Sequence, residues 1–268
     1  MTKNHKISAV IVAHNEEKKI EDCLKSLNFA DEIVVVLDKC SDKTKEIVLK
    51  YTNKIIEGSW NIEGARRNVA VSSASYDWIL EIDADERISD KLAKEIKENI
   101  TKHGNQNVAF SFKIDNYIGK RLVRNGWLRT ICVLQRQSIA RNGHKIYDED
   151  KEVHPTANLK AEKIISLSNP LIHLVDENIS DLLLRFNRYT SWKANDMIFR
   201  SKIKGGFLNL IISFKLRFFK SYILKAGIKE GLLGLVIATL SGLYPIISYL
   251  KAKEKILNEK PNNNHSNL

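Results

Sequence analysis

The chain has 268 residues, with 43 Lys+Arg against 32 Asp+Glu and a formal net charge of +11. That length holds one large domain, or one domain plus an appendage, and the composition is that of a globular protein. No apolar signal region separates the start of the chain from its first strand-like segment, so export is not expected.

The first half alternates strand and helix. Ser8–His14 is a near-continuous apolar run of the kind buried in parallel sheets. Glu16–Leu27 follows as a helix with Ile20, Cys23, Leu24 and Leu27 on one face. Asp31–Asp38 is a second buried strand, and Ser41 or Asp42 caps a helix reaching Tyr51. Lys54–Glu57 gives a short third strand, Ile62–Ser73 a helix and Asp77–Asp83 a fourth strand. Ser89 then caps a helix over Asp90–Ile100. This order predicts a parallel, doubly wound α/β sheet, whose ligands gather at the carboxyl ends of the strands. Ala13-His14-Asn15-Glu16, Asp38, Glu57-Gly58 and Asp83-Ala84-Asp85 all fall there.

The middle is less regular. Val108–Ile114, Thr130–Arg136 and Ile164–Leu174 are strand candidates, and the acidic Gly143–His154 reads as a loop over a site. From Ser180 the chain is helical. Gly231–Leu250 holds 20 residues without a charge, interrupted by Gly234, Gly242 and Pro245. It meets the minimum length for a membrane span. Phe207–Lys225 mixes apolar residues with Lys215, Arg217, Lys220 and Lys225, as a helix in a membrane interface does. Interfacial association is the first reading, packing on the domain the second and a true span the third. The expected division is 1–179 catalytic, 180–255 a basic helical, membrane-associating region, and 256–268 a disordered tail.

Charge supports a division of labour. Residues 1–120 hold 19 Lys+Arg and 20 Asp+Glu, whereas 121–268 hold 24 and 12. The basic half points to an anionic partner: nucleic acid, membrane lipid or a phosphorylated substrate. Three distant cysteines, Cys23, Cys40 and Cys132, lack zinc-type spacing and cannot all pair, which suits a reducing compartment.

Two carboxylates one residue apart after an apolar strand, Asp83 and Asp85, suit Mg²⁺ or Mn²⁺ gripping a diphosphate. Together with Val10-Ile11-Val12-Ala13-His14-Asn15-Glu16-Glu17, Ile33–Asp38 with Ser41-Asp42-Lys43-Thr44, and Gly64-Ala65-Arg66-Arg67-Asn68, the stretch Asp83-Ala84-Asp85-Glu86 resembles family 2 glycosyltransferases of the GT-A fold. Asn125-Gly126-Trp127, Val133–Arg136, Val153-His154, Pro170–His173, Arg188-Tyr189-Thr190 and Tyr222–Gly227 are similar to a branch containing bacterial lipopolysaccharide-core β-glucosyltransferases. The fold implied is a Rossmann-like, mostly parallel sheet flanked by helices.

The resemblance implies donor-nucleotide contacts from Ala13, Asn15, Glu16, Asp38, Arg67 and Asp83, with Asp38 accepting from a uracil imide. Glu16 has a second reading, as a carboxylate favouring the first helix N-terminus. Arg66 is read equally as the partner of a surface ion pair. A divalent cation falls to Asp83, Asp85 and His154, and the acceptor side to Trp127, Arg136 and His173. Inverting displacement needs a carboxylate base. Glu152 is the first choice and Asp150 the second, because Pro155 stands where the branch commonly has a Glu.

The expected activity is transfer of a hexose, with glucose the first candidate, from a UDP-sugar to a lipid-linked saccharide. The setting is the cytoplasmic face of the inner membrane, at an anionic membrane surface. A polyprenyl-phosphate acceptor is the nearest enzymatic alternative. A non-catalytic sugar-nucleotide-binding or nucleic-acid-binding protein is the alternative from another class, although no nucleic-acid motif is present. The first loop is neither Gly-rich nor basic, which counts against a nucleotidyltransferase, and no Walker or Gly-x-Gly-x-x-Gly motif occurs.

Overall fold

The computed structural model describes residues 5–104, 106–126, 136–141, 147, 161–199 and 206–259. The chain divides into two compact units, Met1–Tyr117 with Val133–Val175 and Ile118–Cys132 with Asp176–Leu268. In chain order the elements up to the first crossing are β1 (Ile7–Ala13), α1 (Ile20–Ser26), β2 (Glu32–Asp38), α2 (Thr44–Val48), β3 (Ile55–Gly58), α3 (Glu63–Ser72), β4 (Trp78–Asp83), β5 (Glu86–Arg87), α4 (Asp90–His103), β6 (Val108–Phe112) and β7 (Ile114–Ile118). After β8 (Arg121–Leu122) come β9 (Arg136–Arg141), β10 (Lys163–Ser166) and β11 (Leu171–Asp176). The expected strand over Ile164–Leu174 is thus two strands, parted at Leu167–Pro170, where Ser168 and Asn169 donate backbone N–H groups to Glu95. The helix expected to reach Tyr51 stops at Val48, and the one expected to end at Ile100 runs on to His103.

A seven-stranded sheet has the order β10-β6-β9-β4-β1-β2-β3. β1 pairs in parallel with both β2 and β4, and β2 with β3. β9 is antiparallel to β4 and β6, so the sheet is mostly rather than wholly parallel. Alternation along each buried strand feeds two cores. Ile11, Ala13, Val35, Leu37, Leu80 and Ile82 face the larger one, with α1 and α4 residues such as Ile20, Leu24 and Ile96. Val10, Val34, Val36 and Ile79 face the other, with Ala70, Val71 and Ala74 of α3 and its exit. By the same pleat, Asp38, Glu81 and Asp83 lie on the α3 face.

Register fixes their levels. Val12 of β1 is opposite Val36 on one side and Asp83 on the other. The carboxyl ends of β2 and β4 therefore flank the end of β1. A small sheet places β5 beside β11, antiparallel, with His173 opposite Glu86. α4 starts where Ser89 predicts, its hydroxyl accepting from Leu92 N–H at 3.3 Å.

The second unit is helical: α5 (Ile179–Phe199), α6 (Phe207–Phe219), a wide turn over Lys220–Leu224, a tight one over Gly227–Glu230 and α7 (Leu232–Glu259). α5 and α6 both pack on α7. Pro245 does not interrupt α7. It lacks the N–H that would bond the carbonyl four residues back, and Arg217 Nε donates to that Ser241 carbonyl at 2.8 Å. Gly234 is required by contact, since a Cβ there would meet the Gly227 carbonyl oxygen at 1.8 Å. The buried Glu230 carboxylate accepts from the Arg124 and Asn125 N–H groups and from Asn125 Nδ2, fixing that loop.

At the amino end of the large sheet, Glu32 accepts from Lys54 Nζ (2.6 Å), Ser75 N–H (2.8 Å) and Ser8 Oγ (2.5 Å). Burial opposes its ionisation, but these donors outweigh burial and hold the carboxyl down at about 2. Because the folded value is depressed, the stabilisation is complete above the ordinary value of 4.5 and is lost as pH falls toward 2. Glu32→Gln is expected to lower stability at neutral pH by about 2 kcal/mol. Urea denaturation from pH 7 downward should show the variant losing less stability than the wild type across the acid range.

Candidate active site

The loop after β1 is tied to the loop after β2. Asn15 adopts φ 55°, a left-handed conformation that Asn tolerates, and its Oδ1 accepts from Ser41 N–H at 2.8 Å. His14 Nδ1 donates to the Asp38 carbonyl at 2.6 Å. Ala13 is buried at the strand end. Glu16 precedes α1: its carbonyl accepts from Lys19 and Ile20 N–H groups, and its own N–H donates to Thr44 Oγ1. The acids of the first helical turn are Glu21 and Asp22.

Asp38 is 4 % exposed. Its Oδ1 accepts from Trp60 N–H at 3.0 Å and its Oδ2 from Arg66 Nη1 at 2.7 Å. Arg66 therefore serves a buried carboxylate rather than a surface ion pair. The next residue on α3, Arg67, turns to the other side of β1. Its Nη1 donates to Asp83 Oδ1 at 3.1 Å and its Nε to Glu63 Oε1 at 2.9 Å. Burial works against a charged Arg67, but Asp83, Glu63 and Glu81 overcome it and hold the guanidinium charged.

β4 ends at Asp83, and Asp85 lies in the turn beyond it. The turn is braced from inside. Buried Glu86 accepts from Asp83 N–H at 2.9 Å, and Arg87 donates to the carbonyls of Ala84 (2.8 Å) and Lys19 (2.6 Å). His173 reaches it from β11, with Nε2 3.5 Å from Asp85 Oδ2. Its Nδ1 donates to Oδ1 of buried Asn116 at 2.8 Å, which leaves Nε2 for Asp85. Burial disfavours the imidazolium, but Asp85 foremost, then Glu86 and Asp83, raise its pKa above that of an ordinary histidine. His173, expected on the acceptor side, stands beside the carboxylate turn.

The side chains of Asp83 and Asp85 are 33 % and 30 % exposed, so neither carboxylate is sealed in the core. Among the described residues no group of three or more His, Cys, Asp or Glu is arranged to hold a metal ion. The donor types nonetheless fit a hard divalent cation with part of its shell supplied by substrate or water: the carboxylate oxygens of Asp83 and Asp85.

A further network backs Arg67. The Asn68 side chain pairs with the backbone of Tyr147 in both directions, accepting from its N–H at 2.7 Å and donating to its carbonyl at 3.0 Å. The Tyr147 hydroxyl donates to Glu81, at 2.6 Å to Oε1 and more closely to Oε2. The Tyr147 ring lies 5.8 Å from the Arg67 guanidinium carbon. Glu81 and Tyr147 are not among the expected site residues. One signal was available: a Glu inside Trp78-Ile79-Leu80-Glu81-Ile82 is a charge in a buried strand, which demands a partner. Trp127, Asp150, Glu152 and His154 lie outside the described residues, and of Arg136 the backbone alone is described, opposite Phe112.

Residues 8–154 match the model of the glycosyl transferase family 2. A glycosyltransferase of Rickettsia bellii is 27 % identical over 266 residues, covering 96 % of this chain and 89 % of its own. The lipopolysaccharide core biosynthesis glycosyltransferase LpsC of Rhizobium meliloti is 24 % identical over 269 residues, covering 96 % and 95 %. Among solved structures, Staphylococcus aureus TarS residues 1–349 in complex with UDP superposes with a TM-score of 0.52 at 19 % identity, over 94 % of this chain and 91 % of that one. That likeness is one of fold, and the fold is GT-A.

Tyr147→Phe is expected to lower stability by about 1–3 kcal/mol, since it removes the donor to a buried carboxylate. Urea titrations of the variant and the wild type at pH 7 measure this; an unchanged midpoint would show that the hydroxyl contributes nothing.

Proposed function

We propose a reaction and a setting for this chain, which belongs to glycosyl transferase family 2. The enzyme is a glycosyltransferase; the reading here is that it moves a hexose from a UDP-sugar to a lipid-linked saccharide of the lipopolysaccharide-core type, with inversion. Glucose is the first candidate sugar. The observation that carries the reading is the grouping of Asp38, Asp83 and Asp85 at the carboxyl ends of the two strands that flank β1. Similarity to LpsC supports the acceptor class, and the complexes of TarS with UDP and UDP-GlcNAc support a uridine-nucleotide donor.

In this reading the loop of Ala13, Asn15 and Glu16 borders the nucleoside, and Asp38 accepts from its base. Arg67, held charged between Glu63 and Asp83, presents positive charge to the donor side. Asp83 and Asp85, with His154, would hold Mg²⁺ or Mn²⁺, which would supply Lewis-acid stabilisation of the departing diphosphate, and His173 braces Asp85 from β11. Glu152, or Asp150 in its place, takes the proton of the acceptor hydroxyl as that oxygen attacks the anomeric carbon. Trp127 and Arg136 are assigned to the acceptor.

The setting rests on the second unit. α7 is long and apolar enough to cross a membrane by length and composition. Along α6 and the turn after it, Leu208, Ile212, Leu216, Phe219 and Ile223 are all exposed at helical spacing, with exposed Lys215 and Lys220 beside them. A helix with its apolar stripe outward and lysines alongside suits the headgroup region of an anionic leaflet.

Donor hydrolysis measured across UDP-, GDP- and ADP-sugars, with and without Mn²⁺, tests the reaction. UDP-sugars should turn over, and Asp85→Ala should lower metal-dependent turnover about 100-fold or more while the melting transition persists. Full activity in Asp85→Ala would remove the metal assignment. For the setting, the protein should sediment with phosphatidylglycerol-containing vesicles and be released by salt, and should not sediment with phosphatidylcholine alone. Leu216→Ser with Phe219→Ser should weaken that binding about tenfold; equal binding by the double variant would contradict the role of the stripe.

A further inference from the structure

Three consecutive residues of α3 grip three separate stretches of chain. Arg66 holds Asp38, Arg67 holds Asp83, and Asn68 holds Tyr147. The third grip is the one that the proposed reaction does not use. Asn68 accepts from the Tyr147 N–H at 2.7 Å and donates to its carbonyl at 3.0 Å, so it fixes that backbone as a neighbouring strand would. The Tyr147 side chain is held as well, because its hydroxyl donates to Glu81 in the middle of β4. Glu81 is 3 % exposed, and an apolar residue would fill such a place at less cost, which weakens a purely structural explanation. The Tyr147 ring lies 5.8 Å from the guanidinium carbon of Arg67, whose Nη1 donates to Asp83. Tyr147 is therefore anchored beside the strand-end carboxylates. The sequence runs on from it as Asp148-Glu149-Asp150-Lys151-Glu152. Three residues of extended chain span at most about 11 Å, and five at most about 18 Å.

We infer that Asn68 is a positioning residue: by clamping Tyr147 to α3 it sets where the acidic segment begins relative to the donor, and so where the base for the acceptor hydroxyl stands. This rests on the reading above, in which Glu152 or Asp150 is that base, and deepens it. A base works only within hydrogen-bond reach of the proton it takes. A displacement of about 1 Å can cost about 100-fold in rate. Arg67 and Asn68 are neighbours on one helix, so the donor side and the start of the base segment share one rigid support. Loss of Asn68 should therefore act on turnover and leave nucleotide affinity alone.

The test is a double-mutant cycle on the full chain. Hydrolysis of whichever UDP-sugar the wild type turns over fastest is measured with Mn²⁺, beside equilibrium binding of UDP. Asn68→Ala should lower kcat by about 10- to 100-fold with the Kd for UDP changed less than about twofold. Asn68→Asp keeps the size and the contact to the Tyr147 N–H but loses the donor to its carbonyl; it should show a smaller loss of the same kind, and carries the test if the Ala variant does not fold. Combined with Glu152→Gln, or with Asp150→Asn if that is the more damaging change, Asn68→Ala should cost less than about twofold more, because the group it positions is already gone. An unchanged kcat in both Asn68 variants would overturn the inference. So would a loss of UDP affinity in step with kcat, or a full further loss in the combined variant, which would mark Asn68 as a general support of the fold. Absence of UDP-sugar turnover by the wild type, or full turnover in both Glu152→Gln and Asp150→Asn, would instead remove the reading on which this inference stands.

Discussion

Two consecutive arginines on one helix organise this site. Successive residues of an α-helix project about 100° apart, so Arg66 and Arg67 diverge. One grips Asp38 at the end of β2, the other Asp83 at the end of β4, and β1 runs between them. Both carboxylates lie on the α3 face because the pleat carries every second residue of β2 and β4 there. Asp38 and Arg67 are largely buried, and charges so placed are costly unless paired. Each pair therefore limits how far α3 can shift without exposing its partner's cost.

Much of this was legible in the sequence. Continuous apolar runs marked β1, β2 and β4, and strand-end acids marked where the chemistry gathers. Ser89 marked a helix start. What escaped was set by contacts between distant residues. β9 inserts antiparallel between β4 and β6, and its Arg-Gln-Ser-Ile-Ala-Arg sequence has little of the apolar signature of a central strand. The pairing of Tyr147 with Glu81 joins residues 66 apart in the chain. Arg66 and Arg67 look alike in the sequence; the direction each takes from the helix separates them.

The helical unit follows a different logic. The helix-breaking residue of α7 is tolerated because Arg217 supplies the hydrogen bond that Pro245 cannot. Its exposed apolar side chains are not scattered: on α6 they recur at intervals of three and four residues, and a regular stripe of that kind marks an interaction surface. The charge excess of the chain sits in the same half. The sheet unit is nearly neutral and carries the strand-end acids, whereas the helical unit is basic and carries the apolar stripe.

The central claim is that the carboxylates beyond β2 and β4 serve one nucleotide diphosphate and one cation. Crystals grown with UDP and Mn²⁺ test it through the anomalous signal of manganese. The account places that signal within coordinating distance of Asp85, with the uracil ring against Asp38. Manganese bound away from the Asp83–Glu86 turn, or a nucleotide seated away from the end of β2, would contradict it.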